Sequence, residues 1–141
     1  MCRENEIVEL LTKANHLTVL LVDDQKETLD LLALQLHSLP GIQQIWKATT
    51  SHDAIRTLQA NPIDITVIVH EFCEESGFAL CREIQDMQHD TEVVVCSIQN
   101  DAICKKKAFS LGVKQFIEKP IATEDLRHMI FDYLQRHQVT L

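Results

Sequence analysis

From residue 18 to the end of the chain, short apolar runs alternate with segments whose apolar residues recur at helical spacing. That is the pattern of a parallel sheet whose strands are joined by helical crossovers. The runs are Thr18–Val22, Gln43–Ala48, Asp64–Val69, Glu92–Cys96 and Lys114–Glu118. Three are nearly continuous in β-branched or leucine residues, as strands covered on both faces must be. Between them, Leu29, Leu32, Leu36 and Leu39 mark a first helix ended by Pro40-Gly41, and Ser51 opens a second that stops before Asn61-Pro62. Proline disfavours helical geometry at the residue before it, which explains both stops. A third helix carries Phe78, Cys81 and Ile84, and a fourth runs from about Asp101 to Leu111, where Gly112 is expected to take the left-handed conformation beyond a helix end. The last begins at the N-cap Thr123, with Glu124 and Asp125 in its positive first turn, and presents Leu126, Met129, Ile130, Tyr133 and Leu134 as one stripe. Ahead of the first strand, Ile7, Leu10 and Leu11 predict an N-terminal helix from Arg3 to about Lys13.

Because crossovers of this kind are right-handed, the pattern gives an α/β fold, (βα)₅, a doubly wound five-stranded parallel sheet with helices on both faces. It divides the chain into an N-terminal extension over 1–16, one domain over 17–137 and a tail over 138–141. In such sheets function sits at the carboxyl ends of the strands, near the point where strand order reverses.

Composition narrows the classes. A chain of 141 residues, 45% hydrophobic, is long enough for a core of its own. Lys+Arg 13 against Asp+Glu 21 gives a net charge of -8, which argues against nucleic-acid backbones and anionic membrane surfaces. No run approaches a membrane span, and the start lacks a secretion signal, so a cytoplasmic location is expected. Five scattered cysteines, Cys2, Cys73, Cys81, Cys96 and Cys104, are expected as free thiols. With only Gly41, Gly77 and Gly112, neither a dinucleotide-binding nor a phosphate-binding glycine loop can be written.

The first strand ends in Asp23-Asp24, the fourth in Ser97, and the fifth in Glu118-Lys119-Pro120. Singly, each has a plain reading: a helix cap, a strand end, a solvated lysine. Together they put two carboxylates, a hydroxyl and an ammonium at one crevice. With Val19-Leu20-Leu21-Val22-Asp23-Asp24, the run Gly77 to Ile84, Ala108 to Val113, and Phe116-Ile117-Glu118-Lys119-Pro120, the chain resembles the receiver domains of two-component response regulators, the chemotaxis-regulator fold. The resemblance spans about Leu17 to Arg136. It implies that Asp23 and Asp24 form the acid pair that holds Mg²⁺, that Ser97 and Lys119 bind phosphoryl oxygens, and that Phe116 is the aromatic that reports the switch. It also implies a cis bond at Lys119-Pro120, with Gly77, Gly112 and Pro120 as structural positions.

The pattern departs at the third strand. Counting forward from Asp64 and back from Gly77, both counts place Val69 where the family has its phosphoacceptor aspartate. Valine neither attacks phosphorus nor binds magnesium. His70 and Glu71 are the alternatives, each shortening the following loop. Ile98 follows Ser97 where the family prefers a small residue. Lys119 is then expected to pair with Asp23 or Asp24 directly. His70 and Cys73 could ligate a transition metal, and Glu71 could mimic a phosphorylated aspartate. Lys105-Lys106-Lys107 reads as a partner-facing or solvated edge.

The expectation is therefore an atypical receiver that is not an enzyme. No cofactor is expected, because loss of the third carboxylate weakens the Mg²⁺ site. Its partner would be a protein, a histidine kinase or an output domain, bound through residues 101–135, a surface that also forms homodimers in the family. No nucleic acid and no membrane are expected as partners. The alternative is a phosphate-accepting receiver that uses His70 or Glu71 with Mg²⁺.

Overall fold

The apolar runs become strands because both of their faces are covered. β1 (Leu17–Val22), β3 (Ile65–Ile68) and β4 (Glu92–Ser97) are buried almost throughout. The outer strands, β2 (Ile42–Ala48) and β5 (Val113–Glu118), keep exposed Gln43, Gln44, Lys47, Lys114 and Glu118. In the computed structural model, which describes residues 16–69, 75–87, 89–97 and 102–137, the strands pair in parallel in the order β2-β1-β3-β4-β5. The helices between and after them are α1 (Lys26–His37), α2 (Ser51–Ala60), α3 (Glu75–Asp86), α4 (Ala102–Ser110) and α5 (Thr123–Arg136). This is the five-stranded α/β architecture that the alternation predicts. The helix expected over Arg3 to Lys13 and the tail 138–141 lie outside the described residues.

Strand side chains alternate between two cores. Val19, Leu21, Ile65, Val67, Val94 and Cys96 pack with Leu29 and Leu36 of α1 and with Leu126 and Ile130 of α5. Leu20, Val22, Ile68, Val93 and Val95 face the other way, onto Ala54, Leu58, Phe78, Ile84 and Ala108 of α2, α3 and α4. Each large apolar side chain so buried contributes about 1.5–3 kcal/mol.

Most helix ends follow the sequence signals, with one shift. Thr50 caps α2, its hydroxyl accepting from the Asp53 amide at 3.0 Å. α5 is capped at Ala122, one residue before the expected Thr123. The Asp125 carboxylate turns back to accept from the Ala122 amide at 2.9 Å, and the Thr123 hydroxyl instead accepts from Gln35 Nε2 of α1 at 3.3 Å. Gly112 closes α4 at φ 92°, its amide donating to the Phe109 carbonyl at 3.1 Å. Gly77 lies in the first turn of α3.

Polar anchors gather at the amino edge of the sheet. Asp64 accepts from the Thr18 amide at 2.8 Å and from the Tyr133 hydroxyl at 3.2 Å. Buried Glu92 accepts from Arg136 Nε at 2.9 Å and Nη2 at 2.6 Å, and from His137 Nε2 at 3.1 Å. The His137 ring stacks on Tyr133 at 4.2 Å. The hydroxyls of Thr66 and Thr91 meet at 2.8 Å. The contacts of Tyr133, Arg136 and His137 tie the end of α5 to the starts of β3 and β4.

Cys81 and Cys96 are free and buried, and burial pushes each thiol up to about 12. Cys104 departs from the expectation of free thiols: it is disulfide-bonded, with a partner outside the described residues. A bond between cysteines distant in sequence leaves no local spacing signature. Among the described residues, no helix is long and apolar enough to cross a membrane.

Candidate functional site at the carboxyl edge of the sheet

Strand register decides which of the expected residues meet. Val22 is level with Ile68, and Ile68 with Val95, while Ser97 is level with Glu118. Asp23, Val69, Ser97 and Lys119 therefore leave the sheet at one edge, where β1 and β3 are neighbours and the strand order reverses.

Asp23 is buried, at 3% exposure. Its amide donates to the Ala48 carbonyl at 3.2 Å, and its Oδ1 accepts from the Gln25 amide at 3.1 Å. The carboxylate thus braces the turn into α1 two residues on. Asp24 beside it is exposed. Ser97 is 1% exposed, and its carbonyl accepts from the Lys119 amide at 3.0 Å. The Lys119-Pro120 bond is cis, as the resemblance implies.

Val69 continues the β3 ladder, its amide donating to the Val22 carbonyl at 2.8 Å. Its side chain is 3% exposed and packs within the core shared with α1 and α5. His70, Glu71 and Cys73, and Ile98 after β4, lie outside the described residues.

One expectation is corrected here. Among the described residues, no ion pair joins Lys119 to Asp23 or Asp24; Lys119 instead lines a groove with Pro120, Ile121 and α1. In the run Lys105-Lys106-Lys107, Lys106 and Lys107 are exposed, in keeping with a solvated edge, and Lys105 is half-buried. Lys105 Nζ lies 5.6 Å from the ring centroid of half-buried Phe116, and Lys107 Nζ lies 4.3 Å from that of Phe78, both within cation–π range. Helical spacing points these ammonium groups to different aromatics, which a run of like residues does not reveal.

Mg²⁺ takes near-octahedral oxygen ligands, of which a protein commonly supplies one or two carboxylates. The described residues offer Asp23, with one oxygen bonded to an amide, and exposed Asp24; Val69 adds no oxygen from its side chain. No group of three or more potential ligands among His, Cys, Asp and Glu occurs among the described residues. Among the described residues the donor set at this edge is thus two carboxylates, one of them partly engaged.

The family model of the response regulator receiver domain matches residues 19–131. The chain belongs to this family. It is a receiver domain of two-component signalling, a fold that typically serves as a signalling module. Curated relatives of the receiver include the transcriptional regulatory protein YvrH of Bacillus subtilis, 27% identical over 119 residues, or 84% of this chain and 49% of YvrH. The heme response regulator HssR of Staphylococcus haemolyticus is 28% identical over 85% of this chain and 52% of its own length. The signal transduction histidine-protein kinase BarA of Escherichia coli is 24% identical over 83% of this chain and 13% of its own length. The receiver thus spans about half or less of these relatives. Among solved structures, a response regulator from Thermotoga maritima superposes with a TM-score of 0.76 at 24% identity, covering 84% of this chain and 98% of its own. A receiver domain from Clostridium thermocellum gives 0.76 at 22% identity, covering 87% and 98%. Both share the fold.

Proposed function

We propose that this receiver is an atypical one that works through protein contacts rather than by accepting a phosphoryl group. The observation that carries this reading is Val69. It stands level with the acid pair at the carboxyl edge and offers neither a nucleophile nor a metal ligand. Of the two carboxylates offered there, Asp23 already has one oxygen bonded to the Gln25 amide and Asp24 is exposed, so the cation site is weak and the module is proposed to act without Mg²⁺.

The face of α4, β5 and α5, residues 101–135, is the proposed docking surface for a histidine kinase or an output domain. Ile103 and Phe109 support this, because α4 leaves them 78% and 48% exposed, apolar surface that a docked protein would cover. The kinase BarA and the regulators YvrH and HssR set the class of partner proposed.

The test is intact mass after incubation with acetyl phosphate and Mg²⁺, beside a Ser97→Ala variant. The expected result is no adduct on either protein. A phosphoryl adduct on the unmodified chain overturns the reading, and peptide mapping to His70 or Glu71 would then establish a displaced acceptor.

A further inference from the structure

Packing anchors α4 only lightly. Its buried side chains are Cys104 and Ala108, where α1 buries Leu29, Leu32, Ala33 and Leu36 and α5 buries Leu126, Met129, Ile130, Phe131, Tyr133 and Leu134. Ile103 and Phe109 of α4 stay largely outside the core. Lys105 and Lys107 add ring contacts with Phe116 and Phe78, which are weak where water reaches the ammonium group. The firmest hold on the first turn is covalent. Cys104 is 5% exposed, lies in the core formed with Phe78, Ile84 and Ala108, and is disulfide-bonded.

Cys81, in the same core, and Cys96 are free and buried. Burial pushes both thiols up to about 12, so near neutral pH neither supplies a thiolate to reshuffle with that bond. A dithiol reductant can open it. One thiolate of the reductant attacks a disulfide sulfur, and its second thiol displaces the mixed disulfide. The chain gains two electrons and two protons as two thiols, and the reductant leaves as its own disulfide. Reduced Cys104 is a small apolar side chain beside Ala108, and α4 then has little to resist local opening. We infer that the Cys104 disulfide is a redox latch on α4, which holds the helix on the sheet when oxidised and releases it when a dithiol reduces it. Because α4 belongs to the proposed docking face, redox state would set whether that face is formed. This consequence rests on the docking reading; the latch itself does not.

The test uses the full chain, oxidised with glutathione disulfide and then reduced with dithiothreitol, with intact mass reporting the gain of two hydrogens. Hydrogen exchange read by mass spectrometry should run at least about tenfold faster over residues 102–110 in the reduced chain. The amides of β1 and β4 should not change, and α4 should slow again on reoxidation. In Cys104→Ala the α4 amides should exchange fast under both conditions, with protected β1 and β4 showing that the variant is folded. The comparison of the two redox forms stands without the variant. A smaller or irreversible change over 102–110, an equal loss of protection in β1 and β4, or a chain that takes up no hydrogens overturns the latch. So does a folded Cys104→Ala whose α4 exchanges as slowly as in the oxidised chain. Neither phosphoryl transfer nor partner binding enters this readout, so the latch and the docking reading fail separately.

Discussion

Val69→Asp is the substitution that tests the geometry of the carboxyl edge most directly. Valine there is 3% exposed and packs in the α1 and α5 core, so its loss removes about 1.5–3 kcal/mol of apolar burial. A new carboxylate close to Asp23 and Asp24 adds like-charge repulsion and desolvation, bringing the expected destabilisation to about 3–4 kcal/mol. For a domain of this size the melting midpoint should fall by roughly 10–15 °C. Three carboxylates at one edge are, however, a better cation site than two. Mg²⁺ at about ten times its Kd would return about 1.4 kcal/mol, or roughly 5 °C, while the unmodified chain should shift by less than about 1 °C. The assay is a pair of thermal melts in Mg²⁺ and in chelator, followed by intact mass after acetyl phosphate. A variant that melts lower but gains nothing from Mg²⁺ and takes no phosphoryl group would refute the placement of Val69 beside the acid pair.

Three further outcomes are expected. The Tyr133 phenol is held above its ordinary pKa, first by burial and then by the Asp64 charge and hydrogen bond. Its contribution is therefore full below about pH 10 and is lost as pH rises beyond that. Tyr133→Phe should cost about 1 kcal/mol in neutral urea titrations and flatten the alkaline loss of stability. The thiols of Cys81 and Cys96, pushed up to about 12 by burial, should resist iodoacetamide in the native protein near neutral pH and react only on unfolding, as peptide mass mapping would show. Gly112→Ala should destabilise by about 1–2 kcal/mol by chemical denaturation, because φ is 92° and the added Cβ would stand 3.0 Å from Gln85 Nε2.

The sheet was legible because a parallel strand has to be apolar on both faces: runs such as Thr18–Val22 and Glu92–Cys96 admit few other placements. Helix ends were legible where proline or glycine acts locally, as at Pro40 and Gly112. Thr123 misled by one residue because the group that decides its role, Gln35, lies 88 positions away. The same limit hid the amino-edge anchors. Glu92 with Arg136 and Asp64 with Tyr133 are separated by 44 and 69 positions, and acids and bases so far apart carry no spacing signal. The carboxyl-edge residues could be found because each follows directly on a strand end. Whether Lys119 would turn to the acids depends on side-chain packing that strand ends do not encode.

The polar ties of Asp64 and Glu92 sit at the amino edge, across the full length of the strands from Asp23, Val69 and Ser97. What secures the fold and what would perform chemistry thus occupy opposite ends of the same five strands. The long-range polar ties at the amino edge hold the last turns of α5 to the sheet without using any group of the carboxyl edge. A scaffold built this way anchors its closing helix at one end of the strands and leaves the groups of the other end out of that anchoring.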